Sequence, residues 1–121
     1  MCVMLERDLQ RLKVILSKID MIDEIVDTFS YVTKALEDEV LAKPAIMMHL
    51  TAIAEQFSKL KDETIVSQFE KNDVKGAIAT RNFIAHDYDG VNMSFIETVV
   101  KERLPVVKNV ILKTLEEAKK R

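Results

Sequence analysis

The 121-residue chain has one cysteine, Cys2, two glycines, two prolines and no tryptophan, so it is short of the residues that staple, break or bend a fold. A single thiol closes no internal disulfide, and no Cys/His spacing suits a metal, so neither bond is expected to hold the domain together. No apolar run approaches the ~18 residues of a membrane-spanning helix. The opening "MCVMLERDLQ" carries acidic residues and no extended apolar region, so it does not read as a secretion signal. A chain in a reducing cytoplasm, with Cys2 incidental, is the expectation. Charge of one sign is missing too: 18 Lys+Arg against 20 Asp+Glu give a net charge of −2. No global basic field advertises nucleic acid, so any contact with RNA has to be local.

What is present is helix-forming. With 48% hydrophobic and 31% charged residues, the chain has the balance of a globular protein able to bury a core, and its length allows one domain spanning residues 1–121. Leu5, Leu9, Leu12, Leu16, Ile19, Ile22, Val26 and Phe29 recur at steps of three and four. That stripe predicts a long helix from about Leu5 to Phe29, with a bend near Asp20 as an option. "SYVTKALEDE" predicts a short helix capped by Ser30, with Tyr31, Val32 and Leu36 turned inward. Pro44 suits the first position of a second long helix carrying Ile46, Leu50, Ile53 and Phe57 to about Lys61. "KDETIVSQFEKND" reads as a polar connector anchored by Ile65, Val66 and Phe69. Asn72 or Asp73 is the candidate cap of a third long helix bearing Val74, Ala77, Ile78, Ile84 and Ala85. "DYDGVN" ends it as a turn. Ser94 and Glu97 form a capping-box pattern opening the last helix, which should kink, without ending, at Pro105. "EEAKKR" reads as a fraying end. The fold class is all-α: a bundle of four long helices plus a short one.

Within that bundle one octet stands apart, "RNFIAHDY", Arg81 to Tyr88. Residues on a helix are separated by about 100°, so Arg81 and Tyr88 share a face and Asn82 and His86 share another. Arg81 and His86, five apart, point about 140° away from each other on a regular helix. Two arrangements would bring them to one phosphate: the helix ends near His86, or two copies of the helix face each other. By spacing alone the structural reading comes first. Arg81 lies on the column Val74, Ile78, Ala85 and Tyr88, where it can stack or pair with an acidic neighbour. Asn82 can be an ordinary polar residue, Asp87 and Asp89 turn formers, and His86 a cation at a helix C-terminus.

The octet matches the R-x4-H-x-Y motif of the HEPN superfamily, with a polar residue directly after the arginine. The chain resembles the HepT-like branch from about Leu5 to Leu115, through "EDEV" (Glu37 to Val40), "AIMMHLTAIAE" (Ala45 to Glu55), "RNFIAHDYDGVN" and the Leu104–Pro105 pair. The resemblance implies a HEPN-type bundle that forms a homodimer, with the motif helices of two protomers lining a shared cleft. It also implies a metal-independent endoribonuclease toxin, needing no cofactor, with Arg81 and His86 as the catalytic pair. The implied partner is a minimal nucleotidyltransferase antitoxin of the MntA type, which neutralises the toxin by adding AMP to Tyr88. Asn82 and Asp87 match supporting positions. Glu55 is a candidate to orient Arg81 from the neighbouring helix, with a plain surface glutamate as the other reading.

The residue types suit that chemistry. A 2′-hydroxyl can attack the adjacent phosphate without metal if a histidine, which titrates near neutral pH, moves the proton. A forked, always-charged guanidinium can hold the phosphate and the charge it develops. The chain departs from the family pattern at Thr80, where many relatives carry a bulky aliphatic, and at His49, where asparagine is frequent. His49 reads as a half-buried histidine on the flank of a packing face. An alternative of another class is a non-catalytic helical subunit that binds substrate for a small nucleotidyltransferase. The RNA target is not legible, although tRNA is the natural first trial.

Overall fold

A computed structural model describes residues 3–120, and Cys2 lies outside that range. Among the described residues the elements are helices α1 (Val3–Thr28), α2 (Val32–Glu37), α3 (Ala42–Lys59), α4 (Glu63–Val66), α5 (Lys71–His86), α6 (Met93–Thr98) and α7 (Leu104–Lys119). A single 3₁₀ turn, Tyr88–Gly90, follows α5, and a π-helical stretch, Val99–Arg103, joins α6 to α7. The four long helices are therefore α1, α3, α5 and the composite of α6, the π stretch and α7. No helix is long and apolar enough to cross a membrane, among the described residues.

The stripe read from α1 faces the core, where Ile15 joins it. Leu12, Ile15, Ile19 and Ile22 are fully buried and meet Ile46, Met47 and Ile53 of α3 and Ile96, Val107 and Ile111 of the last composite helix. Helix α3 is central, packed on α1 along one side and on α5 along the other. Phe57 and Phe69 lock its far end to the α4 connector in an edge-on pair with ring centroids 5.2 Å apart.

Helix ends are where the sequence reading needs correction, because caps depend on where the backbone turns. Ser30 does not cap α2. It lies in the left-handed region (φ 83°), the conformation that closes a helix C-terminus, so it ends α1. Tyr31 precedes α2 without capping it and is 58% exposed, not turned inward. Helix α3 starts before Pro44, at Ala42, because the Asp38 carboxylate accepts from the Leu41 and Ala42 N–H groups (3.2 and 2.8 Å). The polar connector contains α4, capped by Asp62, which accepts from Thr64 and Ile65 N–H. Helix α5 begins at Lys71 without a side-chain cap, and Asp73 instead binds Arg103. The capping box at Ser94 and Glu97 does not form: Asn92 caps α6 through the Ser94 and Phe95 N–H groups, and Glu97 accepts from the Thr33 hydroxyl. The C-terminal run stays helical to Lys119.

Pro105 behaves as its chemistry dictates. It has no N–H to donate, and the π stretch ends at Arg103, two residues before it, so the helix widens by one residue and continues. A cavity of about 350 Å³ lies between α5 and the last composite helix, walled by Leu50, Ile53, Val99 and Leu104. On the α5 side the wall has the small residues Gly76, Ala77 and Thr80, with Asn72 and Asp73 at one end. A methyl group added at Gly76 meets nothing within 4 Å. Gly76→Ala should therefore stabilise the protein by about 0.5–1 kcal/mol, raising Tm by roughly 3 °C in a calorimetric scan.

Candidate functional site

Helix α5 presents the octet. Against the core it sets Val74, Ala77 and Ile84, all partly buried, and the fully buried Thr80. Ala85, expected on that face, is exposed. The unusual Thr80 is satisfied within the helix: its hydroxyl donates to the Gly76 carbonyl at 2.7 Å.

Arg81 emerges at the seam between α5 and α3. Its Nη1 donates to the Glu55 carboxylate and its Nη2 to the Asn82 amide oxygen at 3.2 Å. Glu55 and Asn82 thus hold the guanidinium from two directions, and the orienting reading of Glu55 is the one its contacts favour. The pair is half-exposed, with side-chain exposures of 33% for Arg81 and 40% for Glu55, so it serves geometry more than stability. The hydrogen bond from Arg81, helped by the guanidinium charge, holds the Glu55 carboxyl below the ordinary glutamate range. A group with a depressed folded pKa keeps its bridge above that value and loses it only as pH falls through it. In an NMR titration the Glu55 carboxyl should protonate at lower pH than a free glutamate and return to the ordinary midpoint in Arg81→Ala. Identical titrations in the two proteins would show that the bridge does not form in solution.

His86 is the last residue of α5 and is exposed. The helix ends at His86, as the first of the two arrangements has it, but keeps helical geometry up to that residue. Arg81 and His86 stay about 140° apart around the helix axis. Asp87 follows as the C-cap, its N–H bonded to the Phe83 carbonyl. Its carboxylate accepts from the Gly90 N–H at 3.2 Å and is taken up by the turn. A side chain at Gly90 would begin 2.0 Å from that carboxylate, so the turn as built takes a glycine there.

Tyr88 stands past the helix end, in the 3₁₀ turn, with its ring packed against the core. Its hydroxyl is buried without a hydrogen-bond partner, and the Lys43 ammonium lies 5.5 Å from the ring centroid. Lys43, a nearly buried cation on α3 paired with Glu39, has no signature in the sequence, because only folding brings positions 43 and 88 together. His49 lies on the α1 side of α3, away from the octet. Burial, then repulsion from Lys18, lowers its pKa, as expected of a packed histidine. No cluster of His, Cys, Asp and Glu suited to a metal occurs among the described residues.

An all-helical bundle that carries R-x4-H-x-Y on its third long helix, with the arginine anchored by an acidic residue of the helix beside it, defines a HEPN-type domain. Residues 15–114 match the model of the family described as Ribonuclease HepT-like, and the chain belongs to that family. Membership supports ribonuclease activity in general. No curated protein and no solved structure matches the chain.

Proposed function

We propose that this protein is a metal-independent endoribonuclease toxin. Two copies pair through their α5 helices, so that Arg81 of one and His86 of the other reach the same phosphate. The observation that carries this reading is the regular helix from Lys71 to His86: it anchors Arg81 on one side and exposes His86 on another, which leaves a single copy with half a site at each position. Exposed apolar side chains on the same two helices, Phe83 of α5 (63%) and Met48 of α3 (66%), supply surface for such a pairing.

In the proposed reaction His86 takes the proton of a ribose 2′-hydroxyl. The 2′-oxygen bonds to the adjacent phosphorus, the bond to the 5′-oxygen breaks, and solvent protonates the departing oxygen. A 2′,3′-cyclic phosphate remains. Arg81, already fork-shaped and pre-oriented, pairs with the phosphate oxygens as charge builds on them.

A nucleotidyltransferase antitoxin would silence the enzyme by placing AMP on Tyr88. With the hydroxyl covered, that transfer requires the turn around Tyr88–Gly90 to swing away from Lys43 first. The added negative charge would then lie near His86 and repel RNA.

Incubating the purified protein with total tRNA in EDTA tests the reading, with the intact mass measured in parallel. Cleavage supports it. An unmodified dimer that leaves RNA untouched would overturn it in favour of a non-catalytic binding subunit.

A further inference from the structure

Arg81, Arg103, Lys43 and Lys108 are each engaged by carboxylates: Glu55; Asp73 and Glu70; Glu39; and Asp20 with Asp23. Three lysines at the opposite end of α5 are not. The side chains of Lys61, Lys71 and Lys75 form no hydrogen bond or ion pair among the described residues. All three are exposed and line one open groove of about 560 Å³, where the α3–α4 connection meets the start of α5. Its floor is apolar, built from Leu60, Val66, Phe69 and Val74, and Glu63 is the carboxylate on its wall. Arg103 offsets one of the two charges of the nearby Glu70 and Asp73, with contacts of 2.8 Å, so the three lysines still outnumber the carboxylates around them.

The helix connects this groove to the octet. At about 100° per residue, Lys71, Lys75, Asn82 and His86 fall within about 60° of one another on a single face of α5. From Lys75 to His86 the rise is about 16 Å, roughly five nucleotides at the 3.4 Å stacked spacing of a nucleic-acid strand. With a net charge of −2, attraction to phosphate has to be local, and these three cations are the ones that share a groove.

We propose that Lys61, Lys71 and Lys75 form a binding track for the phosphate backbone of single-stranded RNA, so that the strand cut at His86 continues along α5 into the lysine groove. Ammonium groups take the phosphates, and the apolar floor accepts a base without reading its identity. The inference rests on the ribonuclease reading for its substrate, and it places binding far from the scissile bond. Substrate selection would then depend on strand length and backbone more than on sequence.

The test is binding of a fluorescein-labelled 12-nucleotide RNA to the His86→Ala protein, followed by anisotropy across a salt series. Each phosphate contact to a single strand contributes about 0.7 to the slope of log affinity against log salt. Adding Lys71→Ala and Lys75→Ala should lower the slope by about 1.4 and weaken binding roughly tenfold at moderate salt. Lys113→Ala combined with Lys119→Ala, which removes two exposed cations from α7, is the charge-matched control and should move neither quantity. A double variant that binds like the control overturns the track, as does a background protein that binds no RNA. If the wild type cleaves while binding ignores the lysines, the track alone falls. If binding depends on the lysines while the wild type cleaves nothing, the ribonuclease reading falls and the track stands.

Discussion

Mixing Arg81→Ala with His86→Ala, each inactive alone, should restore RNA cleavage to about a quarter of the wild-type rate. The figure follows from two-fold symmetry. Random pairing makes about half the dimers mixed, and a mixed dimer has one intact composite site of two, Arg81 from one protomer and His86 from the other. Alone, His86→Ala should lose about 10²–10⁴ in kcat by removing the proton-transfer group. Its fold should barely change, since the side chain is exposed and gives up only a favourable place at a helix C-terminus, worth about 0.3–1 kcal/mol. Arg81→Lys should fall well short of wild type. A point charge cannot donate to Glu55 and Asn82 and still present a fork to phosphate. The measurement is product formation after the two purified variants are mixed and allowed to exchange subunits. Rescue near a quarter establishes a site shared between copies. Two variants that exchange subunits yet stay dead would mean that Arg81 and His86 serve one phosphate within a single chain, or none.

Asp8→Ala should destabilise the bundle by about 3 kcal/mol, or roughly 10 °C in Tm. Asp8 is 1% exposed. Its carboxylate accepts from the Lys61 N–H (2.9 and 3.2 Å) and the Asp62 N–H (2.6 Å). Those amides lie beyond the end of α3, where no helical carbonyl can reach them, and alanine would leave both without a partner. The same contact ties α1 to the turn that starts α4, and Asp62 in turn caps α4. Asp8→Asn keeps an acceptor oxygen and should cost about 1 kcal/mol, so the ranking wild type, Asn, Ala separates hydrogen bonding from a general sensitivity of the site. A melting curve for Asp8→Ala within about 2 °C of wild type would refute the assignment.

The lysine groove and the octet are two ends of one helix, which bears on regulation. On the proposed scheme, modification at Tyr88 would act near His86 and leave Lys61, Lys71 and Lys75 untouched. An adenylylated protein would therefore retain part of its RNA affinity while losing cleavage. The small wall residues Gly76, Ala77 and Thr80 leave the other side of α5 facing a cavity, so α5 rests mainly on α3 and on the Arg103 bridge.

Much of this was legible in the chain itself because it depends on local periodicity. The apolar stripe of α1, the position of the four long helices, the turn after His86 and the distortion ahead of Pro105 all follow from spacing and from what glycine and proline can or cannot do. The octet was legible too, as a motif with an order of residue types. What escaped were contacts made across long sequence separations: Asp8 with residues 61 and 62, Arg103 with Asp73 and Glu70, and Lys43 with Tyr88. The caps escaped for a related reason. Ser30, Asn72, Ser94 and Glu97 all had the right chemistry for caps, but a cap forms only where the backbone turns, and packing chooses that place. The sequence alone thus determined an all-helical bundle that carries an Arg–His helix, because helix periodicity needs only neighbours three and four residues away. Tertiary structure decided which carboxylate holds Arg81, that Tyr88 is covered, and which lysines stay free, because burial and pairing are properties of surfaces brought together from distant parts of the chain.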